Sequence, residues 1–290
     1  MRGYMRHDPS RFGARPVASA VRLLVATWGI VCLLVATAYA QPAAPTNLGV
    51  GGSAVMDVTI ANSNSATGTD VTAAGKLTFA VIGPSSSGYV LVGVVAWDAT
   101  ASETLPAGVT YGGNALTALG NRLDGNGNRT SWWGATTALT GSQSVVVTPS
   151  GTISELGAVG ITFNDVDQTT STANYVSAED SGAGEPITVN GTAASGDLVI
   201  DVAYANKTPA DWTADQTTIA EAAITGDAVV LSSSGSGVGT VTMSWQGPAG
   251  VVWNTSAITV KQAAAGGAAL DEPHYVAAQP RTPEPLVSVW

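Results

Sequence analysis

Hydrophobic and polar residues alternate with a period of two along most of this chain, and β-branched runs recur between clusters of Gly, Asn, Ser and Pro. The pattern predicts strands at 55–60, 76–82, 89–97, 108–111, 115–119, 130–136, 144–148, 156–163, 187–189, 197–205, 217–224, 228–232, 239–245 and 251–261. No window holds apolar residues three and four apart in a sustained stripe, and the intervening Gly and β-branched residues disfavour helix. An all-β fold is expected.

Two stretches echo each other. Ser87-Gly88-Tyr89-Val90-Leu91-Val92-Gly93-Val94-Val95-Ala96-Trp97 matches Ser195-Gly196-Asp197-Leu198-Val199-Ile200-Asp201-Val202-Ala203-Tyr204 in character. Each leads to a hairpin-like stretch, then a Val/Thr strand (145–148 and 241–244), then a closing apolar strand (157–163 and 256–260). The halves span 76–163 and 187–261, and the segment between them holds a short strand-like piece of its own. This predicts a two-layer antiparallel β-sandwich, jelly-roll-like, with pseudo-repeated halves. Two tandem immunoglobulin-like sandwiches are the alternative.

The ends differ from the body. Arg2, Arg6, Arg11, Arg15 and Arg22 precede an apolar stretch at 23–35, and Ala38-Tyr39-Ala40 follows. Residues 1–40 therefore read as a cleaved signal peptide, with Gln41 as the new N-terminus and an extracellular or cell-surface destination. The apolar stretch is shorter than the roughly 20 residues a spanning helix needs, so no membrane span is expected after cleavage. Residues 41–52 read as an extended lead, 53–262 as the sandwich, and 263–290 as an Ala/Gly/Pro-rich tail. The tail ends on a strand-competent segment, in which Leu286, Val287, Val289 and Trp290 are candidates for docking on a sheet edge. Simple terminal disorder explains the same composition.

Removing the signal changes the charge and the chemistry. Six basic and 20 acidic residues remain, a net charge of −14. Nucleic-acid binding, which needs a basic footprint, is excluded. The only cysteine, Cys32, leaves with the signal, and the histidines are His7, within the signal, and His274, in the tail. The body thus lacks the parts for a Ser-His-Asp triad, a Cys-His pair or a His-ligated transition metal. Glu103, Glu155, Glu179, Asp180, Glu185 and Glu221 are available for a carboxylate-pair glycosidase. Their spacing selects no pair, so no catalytic residue is assigned.

Calcium suits the remaining oxygen donors best, although no cofactor is required by the sequence. Asp124, Asn126 and Asn128 sit at alternate positions as in the first half of a calcium loop, but Arg129 and Ala135 occupy places where Gly and Glu are wanted. An Asn/Gly hairpin turn accounts for the same residues. Asp165 and Asp167 form a second candidate after a strand, and Asx capping accounts for them equally. Trp132 and Trp133 are adjacent, so their rings point to opposite faces. Either of these, or Trp212 in a Pro-containing loop, could stack on a sugar ring if exposed, which makes them candidates for carbohydrate binding.

The succession Ser87-Gly88-Tyr89-Val90-Leu91-Val92, Val109-Thr110-Tyr111-Gly112-Gly113-Asn114-Ala115-Leu116-Thr117, Trp132-Trp133 and Phe163-Asn164-Asp165-Val166-Asp167-Gln168-Thr169 resembles a Gly/Thr-rich β-sandwich module of secreted and surface bacterial proteins. That resemblance implies an extracellular location, an adhesive or structural setting and no transferable catalytic residue. The expected role is a non-enzymatic structural or adhesive surface protein, partnered by itself through strand addition, as oligomer or filament, or by a surface glycan.

Overall fold

A computed structural model of the protein describes residues 57–264 apart from 73, 86–87, 98–105, 182–185, 208–210 and 226–227, with the side chains of 180 and 181 also outside the description. Residues 1–40, expected as a signal peptide, the lead at 41–52 and the tail from 265 onward lie outside the described residues. The first half of the body forms β1 (Thr59–Val71), β2 (Leu77–Ile82), β3 (Gly88–Trp97), β4 (Pro106–Tyr111), β5 (Asn114–Ala115), β6 (Thr117–Leu123), β7 (Asn128–Thr137), β8 (Ser142–Pro149) and β9 (Ile153–Asn164). The second forms β10 (Thr172–Ser181), β11 (Ile187–Ala193), β12 (Leu198–Ala205), β13 (Thr213–Ala214), β14 (Thr217–Thr225), β15 (Ala228–Ser236), β16 (Gly239–Gln246) and β17 (Val252–Val260). No α-helix occurs among the described residues.

The expected all-β, antiparallel sandwich architecture is what the chain forms, but where one two-layer sandwich with pseudo-repeated halves was expected, each half closes a sandwich of its own. The first pairs a large sheet, β1-β9-β3-β7-β6, with a small one, β2-β8-β4-β5. The second pairs β10-β17-β12-β15-β14 with β11-β16-β13. Counting β5 and β6 as one strand that crosses between sheets, both halves read 1-8-3-6-5 over 2-7-4, a jelly-roll order.

The two large sheets then stack face to face. β3 lies against β12, β9 against β14 and β15, β7 against β17, β1 against β14, and β6 against β10. Strand order is inverted across this seam with β3 and β12 at its centre, which relates the halves by a pseudo-twofold axis running along the strands. Four layers result, and the two inner sheets are covered on both faces. This explains why β3, Gly88–Trp97, is buried along nearly its whole length rather than at alternate positions. The same holds for β12 and β17.

Three cores follow from the layering. Leu91, Val95, Trp132 and Ile161 from the first sandwich meet Ile200, Val202, Val230 and Ile258 from the second across the seam. Val90, Val92, Val94, Tyr111, Val145 and Leu156 fill the first sandwich. The second sandwich is filled by two separate clusters, one around Trp212, Leu231 and Trp245 and one around Val199, Val241 and Met243. Each fully buried aliphatic or aromatic side chain contributes about 1.5–3 kcal/mol. The seam is therefore held chiefly by apolar area, and its polar contacts set register.

Outer edges are closed by asparagines. Asn62 Oδ1 accepts from Ile82 N (3.0 Å) and Asn64 Nδ2 donates to Ala80 O (2.7 Å), tying β1 to β2 across the two sheets of the first sandwich. Asn174 Nδ2 does the same from β10 to Thr192 O of β11 (3.0 Å). Side chains occupy backbone groups that would otherwise template another strand.

Candidate functional site at the seam

Polar groups concentrate where β3 and β12 both end. Trp97 closes β3, and its Nε1 donates to Asn126 O (3.2 Å) in the β6–β7 turn. Asp124 opens that turn and is spent within it. Its Oδ1 accepts from Asn126 N and Asn128 N (both 2.8 Å), and its Oδ2 accepts from Asn128 Nδ2 (2.6 Å). Asn128 is itself buried, and beyond it Thr130 Oγ1 donates to Asn254 Oδ1 (3.1 Å) while Asn254 Nδ2 donates to Asn128 O (3.2 Å). These last two bonds join β7 to β17 across the seam.

Two carboxylates from the candidate glycosidase set are drawn into the same seam. Glu155 on β9 accepts from Tyr204 Oη on β12 (2.6 Å) and Thr225 Oγ1 on β14 (3.3 Å). Burial raises the Tyr204 phenol far above its ordinary range, and the adjacent Glu155 charge pushes the same way, so this hydroxyl remains a donor. Glu179 on β10 receives a bidentate contact from Arg122 on β6, Nη2 to Oε1 at 2.7 Å and Nε to Oε2 at 3.2 Å. The guanidinium pKa rises through that hydrogen bond. Both carboxylates are thus engaged in cross-seam bonds. Glu221 on β14 is exposed, with its carboxyl pKa raised by partial burial. Glu103 and Glu185 lie outside the described residues, as does the side chain of Asp180.

The calcium candidates behave as turns. Asp124, Asn126 and Asn128 bond one another as above. Asp165 adopts a left-handed conformation (φ 61°) at the end of β9, and Asp167 Oδ1 accepts from Thr169 N (2.7 Å) and Thr170 N (3.0 Å). Those two N–H groups hold the Asp167 carboxyl below its usual range. Asp165 O and Asp167 N also bond Ala263 N and Lys261 O, pinning the connection between the sandwiches to the end of β17. Among the described residues no group of three or more His, Cys, Asp or Glu converges as a metal cage.

The tryptophans point as alternation requires, but into protein on both sides. Trp132 is fully buried in the seam, stacked over Gly93, where an added Cβ would come within 2.8 Å of its ring. Trp133 turns to the first sandwich's own core, half-buried, with Nε1 donating to Ser131 Oγ (3.2 Å). Trp212 is 4% exposed and lies over Gly247, where an added Cβ would strike the ring. The expectation of exposed sugar-stacking rings at Trp132 and Trp212 is corrected accordingly: a large sheet lying between two others has no solvent face, and Gly247 opens a slot that takes Trp212 inward. Leu286, Val287, Val289 and Trp290 lie outside the described residues.

One buried group was not singled out from the sequence. Asp201 on β12 is 1% exposed and points into the second sandwich between its two apolar clusters. Ser233 N (2.5 Å), Ser233 Oγ (2.9 Å) and Trp245 Nε1 (2.9 Å) all reach its carboxyl. Burial raises its pKa to about 7 against the opposing pull of those donors. Its signal in the sequence was the lone acid within the apolar run Leu198-Val199-Ile200-Asp201-Val202-Ala203-Tyr204. No family model matches the chain, and neither does a curated protein or a solved structure.

Proposed function

We propose that the protein is an exported, non-catalytic structural or adhesive protein that works through surface contact. The observation carrying this reading is that the polar groups gathered at the seam bond one another across the two sandwiches, so their chemistry goes into uniting two jelly rolls as one body. What that body offers outward is the outer faces of its two small sheets, one of mixed hydroxyl and apolar residues and the other rich in hydroxyls with one amide. Thr78, Ala80, Ile82, Ser142 and Ser144 are exposed on one, and Asn190, Thr192, Thr240 and Thr242 on the other. Thr242 Oγ1 donates to Asn190 Oδ1 (2.8 Å), which orders one polar pair on the second face. Edge capping by Asn62, Asn64 and Asn174 argues for contact through these faces in place of strand addition at β2 or β11.

Residues 41–290 are the form to test, by sedimentation across a concentration series and by adsorption to hydrophilic and polysaccharide surfaces. Association or adsorption should occur and should fall several-fold when Asn190 and Thr242 are both replaced by Lys. A wild-type protein that stays monomeric at every concentration and adsorbs to no surface would overturn the proposal.

A further inference from the structure

Within the second sandwich the polar chain around Asp201 continues outward to the surface. Ser233 Oγ lies 2.9 Å from Asp201 Oδ1 and 3.3 Å from Gln216 Oε1. Gln216, in the exposed turn between β13 and β14, also accepts from Ser244 N (3.1 Å) and donates through Nε2 to Thr242 O (2.8 Å). Its side chain straps that turn onto β16 beside an open cleft of about 540 Å³, whose wall includes Gln216, Ser244 and Val238.

Ser233 faces two acceptors with a single hydroxyl proton. It can donate to the Asp201 carboxylate or to the Gln216 carbonyl, not to both. Protonation of Asp201 resolves the conflict: the carboxyl donates to Ser233 Oγ, and the Ser233 proton turns to Gln216. No cation competes for the carboxylate, because β11, β13, β15, β16 and β17 contain no charged residue at all. The charged groups on neighbouring segments are otherwise engaged or exposed. Asp215 accepts from Gln246 Nε2 (3.0 Å), Glu179 from Arg122, and Asp197 accepts from Gln262 N (2.9 Å) and lies 4.0 Å from Lys261 Nζ, while Glu221 is exposed on β14.

We propose that Asp201, Ser233 and Gln216 form a proton-operated latch, closed when Asp201 is protonated and loosened when it ionises. In the closed state the proton taken from solvent sits on Asp201, and each hydroxyl in the chain has one acceptor. In the loosened state Ser233 turns inward to the carboxylate, and Gln216 Oε1 keeps only the Ser244 N–H. The output is the hold of the β13–β14 turn on β16, at the rim of the cleft, and the input, on the exported reading proposed above, is the pH outside the cell.

The test is a carbon-13 carboxyl titration of residues 41–290, combined with amide exchange of the 215–217 turn at about pH 5 and about pH 8, corrected for intrinsic rates. The Asp201 resonance should titrate within about one unit of 7. Protection of the turn should be about fivefold greater at the lower pH, the factor expected for one hydrogen bond. Ser233→Ala should leave the Asp201 titration in place while abolishing the pH dependence of the turn, and Asp201→Asn should abolish both. Titration of Asp201 in the ordinary carboxylate range, or a turn whose pH dependence survives in Ser233→Ala, overturns the latch. Both readouts use wild type and Ser233→Ala, so they stand even if Asp201→Asn fails to fold.

Discussion

Asp124 shows how a residue that resembles a metal ligand is decided by its neighbours. Its carboxylate already accepts three hydrogen bonds within the β6–β7 turn. A cation would have to displace them. Thermal unfolding should therefore be indifferent to millimolar calcium against chelator, and Asp124→Ala should cost about 1–2 kcal/mol in urea unfolding. A calcium-dependent rise in melting temperature that disappears in Asp124→Ala would contradict this. Asn254 carries a larger penalty, because it is fully buried and bridges the seam. Asn254→Ala removes the acceptor of the buried Thr130 hydroxyl and one of the two donors to the Asn128 carbonyl, which keeps Asp124 N, for an expected loss of about 1–3 kcal/mol measured the same way. Asp201 sets a pH dependence with a definite sign. Its folded pKa, about 7, lies above the ordinary aspartate value of 3.8, so its contribution is fully present below pH 3.8 and is lost as pH rises through about 7. Between those values its share of stability should fall with rising pH by at most about 1.4 kcal/mol per unit, and that slope should flatten in Asp201→Asn.

At the level of elements, close approach of strands across the seam depends on residues without side chains. Gly93 on β3 pairs with Trp132 on β7, and its position also faces Val202 on β12. An added side chain would strike both. Gly93→Val should destabilise by about 1–3 kcal/mol through overpacking and should perturb the near-ultraviolet signal of the buried Trp132. Trp212 tests the corrected sugar-binding expectation directly. Because its ring packs over Gly247, Trp212→Ala should cost about 3–5 kcal/mol in stability while leaving any polysaccharide retention unchanged. Strand β1 illustrates the reverse error in pattern reading. Alternation predicted a strand at 55–60, yet the strand runs Thr59–Val71 through Asn, Ser and Thr. Pairing to β9 from Thr59↔Asn164 to Val71↔Ile153 imposes that length, since backbone bonding with a long neighbour does not require apolar side chains on the partner.

For the molecule as a whole the seam makes two sandwiches one cooperative unit, and all described residues fall in one compact body. Separating them would uncover Ile200, Val202, Val230 and Ile258 on one side and Leu91, Val95, Trp132 and Ile161 on the other. A contiguous apolar face of that kind is an aggregation liability. The full body should accordingly unfold in a single transition whose calorimetric and van't Hoff enthalpies agree. A fragment holding residues 172–264 alone should bind a hydrophobic dye or self-associate. Two separate transitions in the intact chain would show that the seam is weaker than its burial indicates.

Period-two alternation, β-branched runs and Gly/Asn/Ser punctuation were enough to establish an all-β antiparallel chain, most of its strands and its internal repeat, because those signals are local. The candidate site was much less legible, since it depends on what covers each face. The apolar run of β3, and those of β9 and β12 apart from Glu155 and Asp201, did carry the trace of sheets covered on both sides. Nothing in them says that the cover is the other half of the same chain. Only the stacking of the large sheets buried Trp132 and drew Glu155 to Tyr204 and Asn254 to Thr130. Closure of the second sandwich enclosed Asp201 between two apolar clusters, where the loss of water raises the pKa of a single carboxyl.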